Sequence, residues 1–205
     1  MSLKQAHKTL DKACIKLLKL FKDDLSDVPL PVITIQSKGR KNAYGWFGRD
    51  RWGTDNGCLH EINISAEHLH RDFYDVIKTL VHELVHFVNH IRYSRGQNSK
   101  PDCSSSQYHN KLFKETCEEV GLNCEKMGRR GWASTSLTEE LQKKIDKYFS
   151  GEDRHAFSLF RLEGGLAAKA PTKMKKWTCT CGTNIRAAVQ LDIKCNECNE
   201  DFWEC

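Results

Sequence analysis

Two histidines and a glutamate in the segment TLVHELVHFVNH have the spacing of a zinc-hydrolase motif. His82 and His86 flank Glu83 in the pattern H-E-x-x-H, and four residues on a helix bring both imidazoles to the same side. This arrangement suits two ligands on one zinc ion, and it places Glu83 within reach of a water bound to the metal. The predicted chemistry is hydrolysis, with Glu83 as the general base that takes a proton from the water and returns it to the leaving amine.

The helix that carries this motif, predicted for residues 71–93, is expected to be packed on one side. On a helical wheel one broad stripe is apolar: Phe73, Ile77, Leu80, Leu84, Phe87, Val88 and Ile91. His82 and His86 fall on the opposite face. The alternative is an ordinary solvated face with two chance histidines, and the apolar sequence on both sides of the motif disfavours it. The pattern therefore predicts the floor of a cleft.

A catalytic zinc ion needs a third protein ligand and one open coordination position. The extended form of the motif requires Gly at 89 and His at 92, and this chain has Asn89 and Arg92. His109 is the preferred candidate, because on a helix predicted for residues 107–120 it shares a face with apolar residues. The alternatives are carboxylates on that helix: Glu115, Glu118 and Glu119. The remaining histidines near the motif are expected to be surface or capping residues, or to point away from it: His60, His68, His70 and His90.

Two cysteine pairs close to the end of the sequence predict a second, structural zinc site. Cys179-x-Cys181 and Cys195-x-x-Cys198 can deliver four thiolates to one ion with no open position. So short a segment cannot fold by burial alone, so the metal would hold it together. Its small core is expected to consist of Ile185, Val189, Ile193 and Phe202. The alternatives are free thiols, or Cys205 in place of one of the four.

The order of helix, strands and then helices predicts an α+β protein. Residues 1–149 are expected to form the main domain, residues 150–175 a basic linker and residues 176–205 a zinc ribbon. The 205 residues are 39% hydrophobic and 29% charged, which excludes a disordered chain. No stretch approaches the roughly 18 apolar residues of a membrane helix, and the first residues lack the apolar core of a signal peptide. We therefore expect a cytoplasmic protein in which the ten cysteines are thiols or metal ligands.

Basic residues around the ribbon make it a candidate nucleic-acid contact, although a formal charge of +5 does not establish one. The candidate phosphate contacts are Lys173, Lys175, Lys176 and Arg186. Trp177 and Trp203 are candidate stacking surfaces for bases. A second basic cluster surrounds the AYGWF segment: Lys38, Arg40, Lys41, Arg49 and Arg51. The alternative is that the ribbon only caps and stabilises the protein.

Four blocks in a fixed order, GWFGRDRW, HEINIS, TLVHELVH and YHNKLFKETCEEVGL, precede the cysteine ribbon. Together they resemble the SprT/Spartan group of metallopeptidases, most closely its small bacterial and phage-encoded members, over residues 31–205. The resemblance implies a minimal zincin fold with His82, His86 and His109 as zinc ligands and Glu83 as general base. It further implies cleavage of proteins on or near DNA, including proteins crosslinked to it, in a bacterial or phage-infected cell.

Two other functions remain open from the sequence. One is a non-catalytic DNA- or RNA-binding protein that uses the zincin domain as a scaffold, and the presence of Glu83 argues against it. The other is a zinc hydrolase that acts on a different bond, such as a deamidase. For a peptidase, the strand HEINIS could offer its edge to an extended substrate. Tyr93 and Tyr108 are the candidates for stabilising an oxyanion.

Overall fold

Helix α2 (Phe73–Ser94) runs through the centre of the larger of two compact units in this computed structural model. The structure describes residues 2–37, 43–162 and 174–205. Asp72 begins the helix, because its carboxylate accepts a hydrogen bond from the backbone N–H of Tyr74 at 2.9 Å. The predicted apolar stripe is buried along its whole length. Two other helices and three strands contact α2, which therefore forms the scaffold of the unit: Leu3–Leu18, Lys111–Val120, Gly45–Thr54, Gly57–Ser65 and Ser134–Leu137.

The other elements confirm the α+β class. The helices are α1 (Leu3–Leu18), α3 (Lys111–Val120), α4 (Glu139–Tyr148) and α5 (Gly151–Arg154). The strands are β1 (Val32–Gln36), β2 (Gly45–Thr54), β3 (Gly57–Ser65), β4 (Leu122–Glu125), β5 (Ser134–Leu137), β6 (Lys175–Thr178), β7 (Asn184–Ala187) and β8 (Trp203–Glu204). No helix in the described part of the chain is long and apolar enough to cross a membrane.

The main sheet has the strand order β1-β3-β2, which places β3 in the middle. Strand β1 pairs with β3 in parallel and β2 pairs with it in antiparallel fashion, so Ile62 lies between Ile33 and Phe47. The HEINIS segment is therefore hydrogen-bonded on both sides, and the prediction that it offers a free edge to a substrate is wrong. The alternation of apolar and polar residues in this segment indicates that one face of the strand is buried. It does not distinguish a central strand from an edge strand. The two edge strands of this sheet are β1 and β2.

The larger unit extends beyond residue 149, the boundary expected from the sequence, to Arg161. Ser150 and Asp153 form a capping box at the start of α5. Asp153 also accepts a 2.8 Å hydrogen bond from Lys12 on α1, and the side chains of Ala156 and Phe157 are buried in the core. Asp153 thus ties this segment to α1, and Phe157 stacks on Phe73 of α2 with ring centroids 5.8 Å apart. Residues 163–173 of the expected linker lie outside the described residues.

The smaller unit, Leu162–Cys205, contains a three-stranded sheet with β6 between β7 and β8. Its core differs from the expected one, because Val189 is 66% exposed and Ile193 is 46% exposed. The buried residues are instead Trp177, Cys179, Cys195 and Phe202. Four residues, two of them cysteines, provide too little apolar surface to stabilise a fold of this size.

Candidate metal centres

Three histidine side chains converge on one point of the larger unit. The ligand nitrogens of His82, His86 and His109 all lie within 4.8 Å of one another, which is the grouping expected for a shared metal ion. The Nε2 atoms of His86 and His109 are 3.1 Å apart. His82 and His86 lie on α2, one turn apart, and His109 reaches them from the segment that precedes α3.

His109 is not on a helix, contrary to the prediction that a helix spans residues 107–120. Asn110 caps α3 by accepting a hydrogen bond from the N–H of Leu112 at 2.8 Å, so the helix begins only at Lys111. The backbone of His109 forms β-bridges to Cys103 on one side and to Gly131 on the other. His109 is therefore held by extended backbone pairing, and its face on a helical wheel has no meaning.

Each of the three imidazoles has its Nδ1 atom engaged outside the cluster. His86 Nδ1 lies 2.8 Å from the carboxylate of Asp102, and His82 Nδ1 lies 3.3 Å from the hydroxyl of Thr135. His109 Nδ1 lies 3.2 Å from each of two backbone oxygens, those of Gln107 and Arg130. An imidazole whose Nδ1 carries the hydrogen presents an Nε2 lone pair. All three rings can therefore turn Nε2 lone pairs to their common centre.

This donor set fits a zinc ion. Three neutral imidazoles are a known ligand set for catalytic zinc, and nitrogens bound tetrahedrally at 2.0–2.1 Å are about 3.3–3.4 Å apart. The Nε2 atoms of His86 and His109 lie close to that separation. With the hydrogen on Nδ1 of both rings, the two Nε2 lone pairs would face each other at this distance and repel, and a bound cation would remove that repulsion. The three imidazoles are therefore a group that could hold a metal ion.

The pKa values of the cluster favour neutral rings at two positions. Burial, with His86 and His109 as neighbours, lowers the pKa of His82 well below its usual value. Burial and the proximity of His86 lower the pKa of His109 to about 4. Burial also opposes protonation of His86, but the charge and hydrogen bond of Asp102 outweigh it and raise the His86 pKa. His82 and His109 are therefore neutral at pH 7 and available as ligands.

Phe113 of α3 forms an apolar wall against the cluster. Its ring centroid lies 4.7 Å from that of His82, 4.6 Å from that of His86 and 4.5 Å from that of His109. The Phe113 side chain is fully buried. A rigid aromatic ring in contact with all three imidazoles limits their rotation, which keeps the donor atoms in place.

Glu83 is buried beside the first strand residue of β2. The residue is 6% exposed. A Cβ atom added at Gly45 would lie 2.8 Å from the carbonyl oxygen of Asn63 and 3.4 Å from Cγ of Glu83. The absence of a side chain at Gly45 therefore lets the start of β2 approach the glutamate closely, and this brings an edge strand next to the candidate general base.

The other candidate ligands of the larger unit do not join this cluster. The three carboxylates of α3 form ion pairs with basic side chains: Glu115 with Lys111, Glu118 with Lys114, and Glu119 with Arg92. His90 instead contacts His60, with ring centroids 4.9 Å apart. His60 and His68 are partly buried and His70 is exposed.

The two candidate oxyanion donors are surface residues. Tyr93 is 40% exposed and Tyr108 is 39% exposed, so neither phenol is enclosed with the buried histidines. Tyr93 lies in the last turn of α2, and Tyr108 directly precedes His109. Of the two, Tyr108 is therefore adjacent in sequence to a candidate ligand, and Tyr93 is about two helical turns beyond His86.

The four predicted cysteines form the second group that could hold a metal. The sulfurs of Cys179, Cys181, Cys195 and Cys198 all lie within 4.8 Å of one another. Cys181 Sγ is 3.0 Å from Cys179 Sγ and 3.6 Å from Cys195 Sγ. Hydrogen bonding by Thr183 lowers the pKa of Cys181 to about 6, which favours the thiolate form that binds zinc. Cys205 is exposed and does not belong to the group.

The candidate nucleic-acid contacts separate into different environments. Lys176 lies opposite Arg186 in the β6–β7 pairing, and both side chains are exposed. Lys175 forms an ion pair with Glu204, and Lys173 lies outside the described residues. Trp177 is 2% exposed, so the prediction that it stacks on bases is wrong; its indole belongs to the buried core of the unit.

Comparisons of the chain with protein-family models, with curated proteins and with solved structures each give no match. Any assignment of activity therefore depends on the donor sets described above and on the sequence motifs.

Proposed function

We propose that the protein is a zinc-dependent metalloendopeptidase of the SprT type that cleaves proteins on or near DNA. The observation that carries the proposal is the convergence of three imidazole donors, His82, His86 and His109. Glu83, which is buried, lies on the helix that carries the first two of them. Three nitrogen donors leave one position of a tetrahedral ion open, as a catalytic site requires. The order of the sequence blocks and the packing of the main sheet against α2 agree with this assignment.

When bound, zinc supplies Lewis-acid chemistry, because it acidifies a coordinated water and polarises a peptide carbonyl. The role of Glu83 in this mechanism is proton transfer. Its carboxylate lies one residue after the first histidine of the motif, where it can accept a proton from the attacking water and pass it to the leaving amine. Burial removes competing bulk water from the carboxylate. The three histidines would hold the ion, and Phe113 and the Nδ1 partners hold the histidines in place.

Strand β2 is the element best placed to bind an extended polypeptide. It pairs with β3 on one side, and on its other side it pairs with no strand in the described part of the chain. Its first residue, Gly45, lies beside Glu83. A substrate strand that pairs with this edge would run past the glutamate, with main-chain hydrogen bonds that depend little on side-chain identity. This supports a protein substrate over a small molecule.

Cleavage that depends on the metal is the test of this proposal. The purified full chain should degrade casein or histone, and 1,10-phenanthroline should abolish the cleavage because it removes the zinc that the histidines hold. Added zinc should restore it. Parallel reactions with and without single-stranded DNA measure whether DNA stimulates the cleavage. Casein and histone that stay intact in every arm would contradict the proposal.

One face of the ribbon supports contact with DNA. Lys176 and Thr178 point to the same side of β6, since side chains alternate along a strand, and Trp177 between them points into the core. Arg186 pairs with Lys176, and Trp203, which is 49% exposed, pairs with Thr178. Two cations and an exposed indole thus share the outer face. Cations that bind phosphates and an aromatic ring that stacks on bases are the typical elements of single-strand binding.

We expect neutralisation of this face to weaken DNA binding. In Lys176→Gln/Arg186→Gln, the affinity for single-stranded DNA should fall, and the slope of log K against log salt should become shallower by about 0.7 for each phosphate that the protein no longer neutralises. Lys194→Gln is the matched control, because this exposed lysine lies outside the three-stranded sheet. Fluorescence anisotropy at several salt concentrations measures both quantities. Equal slopes for the double variant and the wild type would exclude this face.

The alternative function, a non-catalytic DNA- or RNA-binding protein, is favoured by the same ribbon face. It predicts DNA binding without any cleavage of protein, and the two assays above therefore distinguish the two functions.

A further inference from the structure

Asp102 is a buried carboxylate, 7% exposed, in the loop between α2 and α3. Its Oδ2 atom accepts two hydrogen bonds, from Nδ1 of His86 at 2.8 Å and from Nδ2 of Asn89 at 3.1 Å. Among the four groups that engage the three Nδ1 atoms of the cluster, Asp102 is the one anion; the others are the hydroxyl of Thr135 and the backbone carbonyls of Gln107 and Arg130. Hydrogen bonds to a charged acceptor are shorter and about twice as strong as neutral ones.

The orientation of Asp102 is itself fixed by Asn89. The Oδ1 atom of Asn89 accepts a 2.8 Å hydrogen bond from the hydroxyl of Thr116 on α3, and Thr116 accepts one of 2.8 Å from Arg92. Asn89 and Thr116 are each at most 2% exposed. The oxygen and the NH2 group of the Asn89 side chain therefore each have a hydrogen-bond partner, Thr116 and Asp102 respectively. A flip of the amide would lose both bonds, so the NH2 group faces Asp102.

Arg92 anchors the far end of this series of side chains. Its guanidinium binds Asp23, which follows α1, and Glu119 on α3, at 2.6 and 2.9 Å respectively. Position 92 therefore carries a structural ion pair that ties three segments together. The extended zinc motif would have Gly at position 89 and His at position 92. In this chain Asn89 instead binds Asp102 directly, and Arg92 supports Asn89 through Thr116.

Asp102 also binds the segment that carries the third ligand. Its backbone carbonyl accepts a 2.9 Å hydrogen bond from the N–H of Asn110, and the next residue, Cys103, forms a β-bridge with His109. The same residue thus contacts the imidazole of His86 through its side chain and the His109 segment through its backbone. A shift of Asp102 would move two of the three donors relative to each other.

We propose that Asp102 is the positioning residue of the metal centre. It holds His86 with the hydrogen on Nδ1 and the lone pair on Nε2, and it sets the distance between His86 and His109. Asn89 serves it by holding its carboxylate in that orientation. The inference rests on the proposed function only in that the three histidines bind zinc. Carboxylates hydrogen-bonded to ligand histidines typically change metal affinity 10–100-fold when removed.

Metal affinity measured on the full chain tests this role without reference to cleavage. Cobalt(II) and zinc are titrated in competition with a chelator, and the thiolate charge-transfer absorption of cobalt separates the cysteine site from the histidine site. In Asp102→Ala, the affinity of the histidine site should fall by about 10–100-fold while the cysteine site is unchanged. Asp102→Asn keeps the shape of the side chain but loses its charge, and we expect a smaller fall, of about 10-fold.

Asp153→Asn is the matched control for a buried, hydrogen-bonded aspartate of the same unit, since Asp153 pairs with Lys12 and Ser150 and not with a histidine. It should lower thermal stability without changing either metal affinity. A proton-detected spectrum adds a second readout, because the hydrogen-bonded Nδ1–H signal of His86 should disappear in Asp102→Ala.

Four outcomes are decisive. A fall in affinity specific to the Asp102 variants supports the proposal. Wild-type affinity in both Asp102 variants, or an equal fall in Asp153→Asn, overturns it and leaves the proposed function intact. A wild-type chain that binds metal only at the cysteines overturns both. If Asp102→Ala does not fold, the Asp102→Asn variant alone decides.

Discussion

Replacement of Glu83 by Gln should abolish peptide cleavage while the protein keeps its fold and its metal. The amide has nearly the same shape as the carboxylate, so the buried position beside Gly45 can accommodate it. It cannot accept a proton from the attacking water. Loss of a general base typically lowers the rate by 10²–10⁴-fold, so we expect kcat to fall by at least about 100-fold. Cleavage of casein at matched protein and zinc concentrations measures the effect.

A second buried glutamate provides the control for this substitution. Glu61 on β3 is 8% exposed and accepts a 2.8 Å hydrogen bond from the indole of Trp52. In Glu61→Gln the cleavage rate should stay within a few-fold of the wild type. Wild-type activity in Glu83→Gln would show that the glutamate is not the base. A Glu83→Gln chain without bound zinc would show that its role is structural.

The second large effect concerns the smaller unit, which should unfold when one thiolate is removed. Cys195 is 3% exposed and lies among the four converging sulfurs. The rest of the core is essentially Trp177 and Phe202. Structural zinc contributes about 10–16 kcal/mol of apparent binding free energy in zinc-finger peptides, which exceeds what so small a core can supply. In Cys195→Ser, residues 174–205 should therefore lose protection against hydrogen exchange and protease, while residues 2–161 keep theirs.

Cys205→Ser is the matched control, because Cys205 is an exposed cysteine of the same unit outside the sulfur group. Its protection pattern should equal that of the wild type. If Cys195→Ser remains as protected as Cys205→Ser, the cysteines do not hold a structural metal. If the two variants unfold alike, Cys205 also stabilises the smaller unit.

The sequence predicts those parts of the site that depend on local spacing. The H-E-x-x-H pattern and the apolar stripe predict α2 within two residues at each end, because both follow from a single helical period. The spacing of the cysteines likewise predicts each close pair, because residues two or three apart on one turn lie near each other, whereas the meeting of the two pairs depends on the fold of the smaller unit. The α+β class follows from the order of elements alone.

The rest of the site depends on pairings between distant segments. Asp102 and Thr135 contact His86 and His82 across 16 and 53 residues of chain, and no periodicity marks them. The helical face that favours His109 does not exist, because the capping side chain of Asn110 determines where α3 starts. Which strands lie at the edges of the main sheet depends on the strand order, and the alternation of apolar and polar residues within one strand does not determine that order. Asp102 lies between His86 and His109 in the sequence, and an acidic residue in such a position is a candidate hydrogen-bond partner for a ligand histidine.

The central claim is that three imidazoles bind one metal ion that is distinct from the ion of the cysteines. Zinc content per chain tests it most directly, measured by elemental analysis of the full chain and of His109→Ala after removal of loosely bound metal. We predict two zinc ions per wild-type chain and one per His109→Ala chain, with the cysteine site still filled. One zinc ion in the wild type, or the same content in both proteins, would contradict the claim.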